Sequence, residues 1–383
     1  MFGGHIVSAL GVNRHVRDSA SWSMVDPPGV DRSSCLRLDR NESTRPVSRT
    51  VAAALSAHLS GAGFRWYPSD ERLTAGIAEH CGVRAESVLV TNGSDQAIDI
   101  TLRTFLQPGS RMLVATPEFI PFRRVAGLLG AQVEGVPYEP DFTFPYVGFR
   151  AAAQRRPALI VFINPNNPTG TLVDPEFIRE ILAEHPDTPV IVDEAYYEFT
   201  GVTVAPWVKR YRNLIVFRTF SKAFAMAGLR LGYALADPAV LEQIRKLRNP
   251  FDVNELAIVA GEAQLAAVDE VDGHTEDIMS EVKPIVLEFF RDLGVPVVPG
   301  TANFLLVRPE DGAGTVRLLR ESRVLVQPLH GPLVEGMFRL TVGQRQEMEE
   351  FARIFTHVHR ETGGRTGPRT PSGLVTGAEP DGT

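Results

Sequence analysis

LIVFRTFSKAFAMAGLRLGY, residues 214–233, is the stretch from which the rest of the chain is best interpreted. It opens with a short apolar run, which predicts a buried parallel strand, and it becomes polar just before Lys222, which therefore lies where that strand ends. The chain has only four lysines among its 39 basic residues, so arginine would be expected if this position needed only positive charge. Lysine differs because it can lose its proton when desolvated and then act as a nucleophile or proton carrier. The presence of a lysine at this position therefore predicts that Lys222 takes part in catalysis.

Side chains near Lys222 favour a phosphorylated ligand. Thr219 and Ser221 supply hydroxyl donors, and Arg230 follows Gly228, which permits close approach of the backbone. Hydroxyls, an arginine and a lysine that can bond covalently to a carbonyl together suit a phosphorylated aldehyde. The stretch therefore predicts pyridoxal 5'-phosphate as the cofactor. A strand-to-helix turn with solvated charges is the alternative for this stretch taken alone.

Composition narrows the class of protein. At 383 residues the chain is long enough for two domains, or for a large domain that carries a smaller one. The formal net charge is −7, and no basic cluster with interleaved aromatics is present, so nucleic acid is not an expected partner. No apolar run approaches the ~20 residues that span a bilayer, so we expect no membrane association. Cys35 and Cys81 match no metal-ligand spacing and are expected to be free thiols in a cytoplasmic protein.

An anion site is predicted where a helix begins. SVLVTNGSDQAIDITLRTFL, residues 87–106, has the pattern of a strand, a tight turn and a helix. The amides of Gly93, Ser94 and Asp95 would open that helix, and unpaired amides together with the helix dipole favour a phosphate. The alternative is that Ser94 or Asp95 is an ordinary N-cap.

Two further strands end in polar residues. The loop NPNNPTG, residues 164–170, follows an apolar strand and would hold Asn167 rigidly at the carboxyl edge of the sheet, although a plain Asx and proline turn is an alternative. The strand in PVIVDEAYYEF, residues 189–199, ends at Asp193, with Tyr196 shortly after it. A buried carboxylate needs a cation or hydrogen-bond donors, and a protonated pyridine nitrogen is such a cation. An N-cap or a metal ligand is the weaker interpretation, because no second carboxylate or histidine lies at ligand spacing.

The order of elements predicts an α/β fold, with a mostly parallel central sheet flanked by helices and a smaller α+β domain. His357 and His359 fall on the last predicted helix and are expected to be solvated rather than to bind metal. The boundaries expected from the pattern are an N-terminal arm that joins the small domain (1–46), a large cofactor-binding domain (47–275), a small C-terminal domain (276–360) and a disordered tail (361–383).

Several motifs occur together and in order: YPSD, TNGSDQAID, NPNNPTG, VDEAY and FSKAFAMAGLRLGY. In this combination the chain resembles the fold-type-I pyridoxal-phosphate enzymes, and among them the histidinol-phosphate aminotransferase branch of the class I and II aminotransferases. The resemblance covers about residues 36–360. It implies a homodimer with shared active sites, and a ping-pong transfer of an amino group between an amino acid, or an amino-alcohol phosphate, and a 2-oxo acid.

The resemblance also implies residue roles. Lys222 would bond to the cofactor and move protons, Asp193 would pair with the ring nitrogen, and Asn167 and Tyr196 would bind the phenolic oxygen. Arg339 would clamp the substrate carboxylate, a bidentate task suited to its planar fork. The remaining cofactor-binding positions are Gly93, Ser94, Asp95, Thr219, Ser221 and Arg230 at the phosphate, Phe119 over the ring in place of the usual tyrosine, and Tyr67, which would reach the phosphate of the neighbouring subunit.

Two departures from the family pattern concern the substrate. Gln327 stands where relatives commonly carry an arginine for the distal phosphate of histidinol phosphate, and Arg45 stands where the family often has an aromatic residue. Either Arg45 meets an anionic distal group from the other side, or it is a surface charge. Biosynthesis of a specialised amino acid is therefore as compatible as histidine biosynthesis. A threonine-phosphate decarboxylase, oxidase, hydroxylase or cyclase on the same scaffold is an alternative, whereas a non-catalytic DNA-binding regulator is disfavoured because residues 1–35 are too short for a winged helix.

Overall fold

The structure is a computed structural model that describes residues 11–21, 30–61 and 63–363. Most of the predicted tail, from residue 364 onward, lies outside the described residues. The strands of the described part are β1 (Leu36–Arg37), β2 (Val88–Thr91), β3 (Arg111–Thr116), β4 (Gln132–Pro137), β5 (Leu159–Ile163), β6 (Val190–Asp193), β7 (Leu214–Thr219), β8 (Gly232–Ala236), β9 (Val297–Val298), β10 (Phe304–Val307), β11 (Val324–Leu325), β12 (Gln327–Pro328) and β13 (Phe338–Thr341).

The helices begin after N-cap residues that the sequence supplies in most cases, such as Ser48, Asp174 and Asp237. The α-helices of the described part are α1 (Arg14–Arg17), α2 (Arg49–Ser60), α3 (Glu71–Cys81), α4 (Gly93–Phe105), α5 (Ile120–Leu128), α6 (Tyr146–Ala153), α7 (Pro175–Glu184), α8 (Pro238–Arg245), α9 (Glu255–Leu265), α10 (Asp269–Glu276), α11 (Lys283–Leu293), α12 (Gly312–Glu321) and α13 (Arg345–Glu361).

A seven-stranded sheet in the described part forms the centre of the fold, with the strand order β2-β8-β7-β6-β5-β3-β4. The strands from β7 to β4 are parallel, whereas β8 runs antiparallel to both β7 and β2. Every residue of β5, β6 and β7 is buried, because apolar helices cover both faces of the sheet. The predicted α/β class is confirmed.

The parallel order brings the ends of β5, β6 and β7 to one edge of the sheet. The residues that follow these strands include Asn167, Asp193 and Lys222, which the chain separates by many positions. In open sheets of this type ligands bind outside the carboxyl ends of the strands. The fold therefore assembles the predicted residues at one place.

A second unit follows α11 and contains the antiparallel sheet β12-β13-β10-β9. The N-terminal segment joins this unit, since β1 pairs in parallel with β11.

The last helix, α13, packs its apolar face on the same core and buries His359, whose ring stacks on Phe355 with centroids 5.8 Å apart. The expectation that His359 is solvated was wrong, because it lies on the apolar face of α13. His357 is exposed and pairs with Glu361 at 3.0 Å. The predicted domain boundaries stay a prediction.

The loop that carries Asn167 is held against the second unit by a backbone contact. The Gly170 carbonyl accepts hydrogen bonds from the backbone N–H and the hydroxyl of Thr301, at 2.8 and 2.9 Å. Lys283 is buried and donates to the carbonyls of Gly300 and Ala302, at 2.9 and 2.7 Å, which holds the other side of the contact. Gly170 has φ +72°, and a Cβ there would lie 2.7 Å from the Cα of Gly300.

We expect Gly170→Ala to destabilise the fold by about 3 kcal/mol, because it adds both a strained backbone angle and a clash with backbone. Gly201→Ala is the matched control: Gly201 has φ +67°, but nothing lies within 4 Å of its Cβ position. The control should lose only about 1 kcal/mol. Urea denaturation of the full-length variants measures both losses. Equal losses would contradict a tight contact at Gly170.

Candidate active site

Lys222 lies three residues beyond the last residue of β7, and its side chain turns towards the N-terminal segment. Its Nζ donates to the backbone carbonyl of Arg40 at 2.8 Å and lies 5.8 Å from the ring centroid of Tyr196. The amine is half-buried and bonded to a neutral acceptor. The amine of Lys222 is therefore hydrogen-bonded to a neutral carbonyl and is not held in an ion pair by that contact.

Asp193 ends β6 and is only 2% exposed. Its Oδ1 accepts the backbone N–H of Ala195 at 3.1 Å, and none of the ion pairs among the described residues includes it. Burial is the main cause that raises the pKa of Asp193 to about 7. A buried acid in this condition favours a cationic N–H group next to it.

Glu194, the next residue, is satisfied in a different way. Its carboxylate accepts from Arg218 Nε at 3.0 Å, from the hydroxyl of Thr203 at 2.8 Å and from the backbone N–H of Val204 at 2.7 Å. Arg218 also lies over the ring of Tyr197, with Cζ 3.7 Å from the ring centroid. The two adjacent acids thus differ: Glu194 is neutralised by Arg218 inside the fold, whereas Asp193 is paired with no cation in an ion pair of the described residues.

The start of α4 forms a cradle with Arg230. Asn92 is the N-cap and makes no side-chain cap hydrogen bond, so the interpretation of Ser94 or Asp95 as the N-cap was wrong. Gly93 has φ +75°, and a Cβ there would lie 2.6 Å from Arg230 Nη2. Unsatisfied amides and a guanidinium at a helix N-terminus suit a phosphate.

The hydroxyls predicted to join this cradle lie on its other side. Ser221 Oγ accepts from Arg230 Nη1 at 3.2 Å, and Thr219 Oγ1 accepts the backbone N–H of Ser221 at 3.1 Å. Arg230 Nη2 also donates to Asp95 Oδ2 at 3.0 Å, and both side chains are partly exposed. Gly232 completes the contact, because a Cβ there would lie 2.6 Å from the amide nitrogen of Ser94.

Asn167 connects the two units of the fold. Its Nδ2 donates to Tyr196 Oη at 3.3 Å, and its Oδ1 accepts from Arg339 Nη1 at 2.5 Å. Arg339 is 9% exposed, and its Nη2 donates to the carbonyl of Asp39 at 2.7 Å. Within the described residues its Nε is buried and has no hydrogen-bond partner. A plain Asx and proline turn at residues 164–170 would not need the contacts of Asn167 with Tyr196 and Arg339.

The structure brings Gln327 close to this group, because it is the cross-strand neighbour of Arg339 in the β12–β13 pair. Its Nε2 donates to the carbonyl of Pro328 at 3.0 Å. Arg45 lies apart: it donates to the carbonyl of Glu270 at 3.0 Å and lies 3.5 Å from the Phe224 carbonyl. The choice between a distal anion and a surface charge for Arg45 stays open.

Among the described residues, two predicted residues form no hydrogen bond or ring contact with the other predicted site residues. Phe119 is the N-cap of α5 and packs, partly buried, against the apolar cluster that includes Val114 and Phe122. Tyr67 is 79% exposed and stacks on Phe251 with ring centroids 4.2 Å apart. Their predicted roles at the cofactor stay predictions.

Asn41 was missed by the sequence analysis. It is fully buried, has φ +52°, and its Nδ2 donates to Tyr196 Oη at 2.9 Å. The only available signal was a polar NES segment after a short strand, which predicted a turn. Its pairing with Tyr196 spans 155 positions and could not be read from local pattern.

The residues present fit pyridoxal phosphate. A buried acid without an ion-pair partner suits a protonated ring nitrogen, and the cradle of Gly93, Ser221 and Arg230 suits a phosphate. Lys222, three residues beyond the end of β7, supplies the amine that such an aldehyde requires.

Comparison with known proteins agrees with this geometry. The family model for aminotransferases of class I and II matches residues 33–355. Histidinol-phosphate aminotransferase 1 of Carboxydothermus hydrogenoformans is 34% identical over 322 residues, which cover 83% of this chain and 91% of that protein. The crystal structure of histidinol-phosphate aminotransferase from Sinorhizobium meliloti in complex with pyridoxal-5'-phosphate has a TM-score of 0.83 at 23% identity, covering 91% of this chain and 97% of that one.

L-threonine-O-3-phosphate decarboxylase from Porphyromonas gingivalis has a TM-score of 0.73 at 25% identity, covering 84% of this chain and 98% of that one. The fold is that of a solved aminotransferase. The chain belongs to the class I and II aminotransferase family. The predictions of the family, of aminotransferase activity and of a pyridoxal-phosphate cofactor are confirmed at this level. None of the described helices is long and apolar enough to cross a membrane.

The pKa of Asp193 generates a prediction for the apoprotein. Its folded pKa, about 7, lies above the ordinary carboxyl value of about 4, so its stabilising contribution is complete below about pH 4 and is lost as the pH rises through about 7. Asp193→Asn should remove this loss. We expect the variant to gain up to about 4 kcal/mol relative to wild type between pH 4 and 8, measured by urea denaturation.

The exposed residue Asp141 provides the control for this measurement, because hydrogen bonds from Thr143 lower its pKa. Asp141→Asn should show no such gain over the same pH range. A pH-independent difference between Asp193→Asn and wild type would contradict the raised pKa of Asp193.

Proposed function

We propose that this aminotransferase transfers an amino group between an amino donor with an acidic head group and a 2-oxo acid, in two half-reactions at the edge of the central sheet. The observation that carries the proposal is the placement of a buried carboxylate, Asp193, at the end of β6 and of the amine of Lys222 just beyond the end of the adjacent strand β7. The acid and the amine come from adjacent parallel strands, so the fold fixes their separation.

Pyridoxal phosphate, when bound, supplies an electrophilic carbonyl and an electron-accepting ring. Asp193 holds the ring nitrogen protonated, since a carboxylate in a dry site strongly favours a cation beside it. Asn167 and Tyr196 bind the phenolic oxygen. Gly93, Ser221 and Arg230 hold the phosphate.

Lys222 carries the proton. Its Nζ donates to a neutral carbonyl, that of Arg40, and not to a carboxylate. In the proposed mechanism it would remove the proton from the donor's α-carbon as base and deliver it as acid to C4′, the carbon of the cofactor that carried the aldehyde. Arg339 orients the substrate, and its free Nε offers one further hydrogen bond to a carboxylate or phosphate oxygen.

The identity of the amino donor is a finer question. The relative from Carboxydothermus hydrogenoformans is named for histidinol phosphate, which makes that donor the first candidate. Gln327 beside Arg339 provides a neutral amide in place of a second cation, which favours a donor with one anionic head group. The similarity to L-threonine-O-3-phosphate decarboxylase supports phosphothreonine as the competing substrate, with loss of carbon dioxide.

A homodimer with shared sites is part of the proposal, as is a cytoplasmic location. Tyr67 and Phe251 form an exposed aromatic stack, and Phe64 and Trp66 beside it are 66% and 70% exposed. Clusters of exposed aromatics mark protein contact surfaces. A second copy of the chain that covers this cluster would bring Tyr67 to its neighbour's phosphate cradle.

Lys222→Ala should abolish the visible absorption of the protein reconstituted with pyridoxal phosphate, because the covalent bond to the cofactor is lost. Activity should fall by at least about 10³-fold. Lys246→Ala, an exposed lysine on the surface, is the control and should keep both. Borohydride reduction followed by peptide mapping identifies the labelled lysine, and a label elsewhere than Lys222 would contradict the assignment.

Arg339→Ala should raise KM about 100-fold for every substrate that carries a carboxylate, because a charge-assisted pair is lost. Arg339→Lys should recover only part of the affinity, since lysine lacks the planar fork. Steady-state kinetics with several donors measures both. Loss confined to one donor would contradict a general clamp.

A panel of donors against 2-oxoglutarate and pyruvate tests the proposed function directly. It includes histidinol phosphate, phenylalanine, arginine and phosphothreonine, with the aminated acceptor (glutamate or alanine) and carbon dioxide measured separately. Formation of glutamate or alanine with a ping-pong pattern is the expected result. Release of carbon dioxide from phosphothreonine without glutamate or alanine would replace the proposal by the decarboxylase.

A further inference from the structure

The segment 38–41 crosses the site and is fastened to catalytic side chains at several points. Its carbonyls accept from Arg339 and Lys222, at Asp39 and Arg40, with distances of 2.7 and 2.8 Å. Its last residue, Asn41, is 0% exposed and donates its Nδ2 to Tyr196 Oη at 2.9 Å. The side chain of Asn41 thus contacts Tyr196, a residue that is predicted to bind the cofactor.

Thr341 fixes the orientation of the Asn41 amide. The hydroxyl of Thr341 accepts the backbone N–H of Asn41 at 3.0 Å and donates to Asn41 Oδ1 at 3.2 Å. Since Oδ1 is occupied by this donor, Nδ2 faces Tyr196. Thr341 is 0% and Tyr196 3% exposed, so water does not compete for these groups.

Tyr196 Oη therefore receives two amide donors, from Asn41 at 2.9 Å and from Asn167 at 3.3 Å. A phenol oxygen has one proton and a limited capacity to accept. When two donors fill that capacity, the remaining role of the hydroxyl is to donate its own proton. Tyr196 is in this way restricted to the function of a hydrogen-bond donor.

We infer that Asn41 is a positioning residue that sets the direction of the Tyr196 proton, so that it points to the phenolic oxygen of the cofactor. The inference rests on the proposed function, in which Tyr196 binds that oxygen. A proton donated there stabilises the negative oxygen and weakens its hold on the proton of the Lys222–cofactor bond. Asn41 thereby tunes the pH at which the bound cofactor titrates.

The test is a pH titration of the visible absorption of the holoenzyme. Asn41→Gly removes the side chain and tolerates the positive φ of 52°, so the backbone keeps its path. We expect the midpoint to rise by about one pH unit, because a shift of that size corresponds to the free energy of one hydrogen bond to a charged group. In a Tyr196→Phe background, Asn41→Gly should shift the midpoint by less than about 0.3 unit.

Two further variants keep the test decisive. Thr341→Val is isosteric and removes the hydroxyl that orients Asn41, so it should shift the midpoint in the same direction even if Asn41→Gly does not fold. Ser43→Ala is the control: it alters the chain two residues beyond Asn41, where Ser43 Oγ lies 3.1 Å from His274 Nε2, and it should leave the midpoint unchanged.

The outcomes separate this inference from the proposed function. No visible band in the wild-type holoenzyme would overturn the proposed function itself. A band that shifts in Tyr196→Phe, but not in Asn41→Gly or Thr341→Val, would overturn only the role of Asn41. An equal shift of Asn41→Gly in both backgrounds would also overturn it, because the effect would not pass through Tyr196.

Discussion

The site depends on the burial of one carboxylate. Asp193 ends a fully buried strand, is 2% exposed, and has a pKa raised to about 7, mainly because burial disfavours its charged form. A carboxyl group in this state is stable only when protonated or when a cationic group lies against it. The end of β6 therefore favours a cationic group, and in the proposed function this group is the protonated ring of the cofactor, which the other residues of the site would position.

Much of this could be predicted from the sequence, because the decisive residues lie where local patterns change. Asp193, Asn167 and Lys222 each follow an apolar run, and the ends of parallel strands share one edge of a sheet. Gly93 was placed correctly for a related reason: a strand, a tight turn and a helix form a recognisable unit. For these positions the chain order and the strand pattern were sufficient.

Other features could not be predicted, because they depend on contacts between distant segments. Asn41 meets Tyr196 across 155 positions, and Arg339 meets Asp39 across 300. The different states of Asp193 and Glu194 depend on Arg218, whose partner cannot be inferred from spacing. His359 was predicted to be solvated on the last helix, but it lies on the face of that helix that packs on the core.

The two terminal nitrogens of Arg339 are bonded to neutral oxygens, those of the Asn167 amide and the Asp39 carbonyl. None of the described carboxylates is hydrogen-bonded to this guanidinium, and Arg339 is only 9% exposed, so its attraction for an anion is weakly screened. Such a guanidinium attracts any small anion that can enter. Sulfate, phosphate and chloride in the medium should consequently compete with carboxylate substrates, and the apparent affinity for each donor should depend on which buffer anion is chosen.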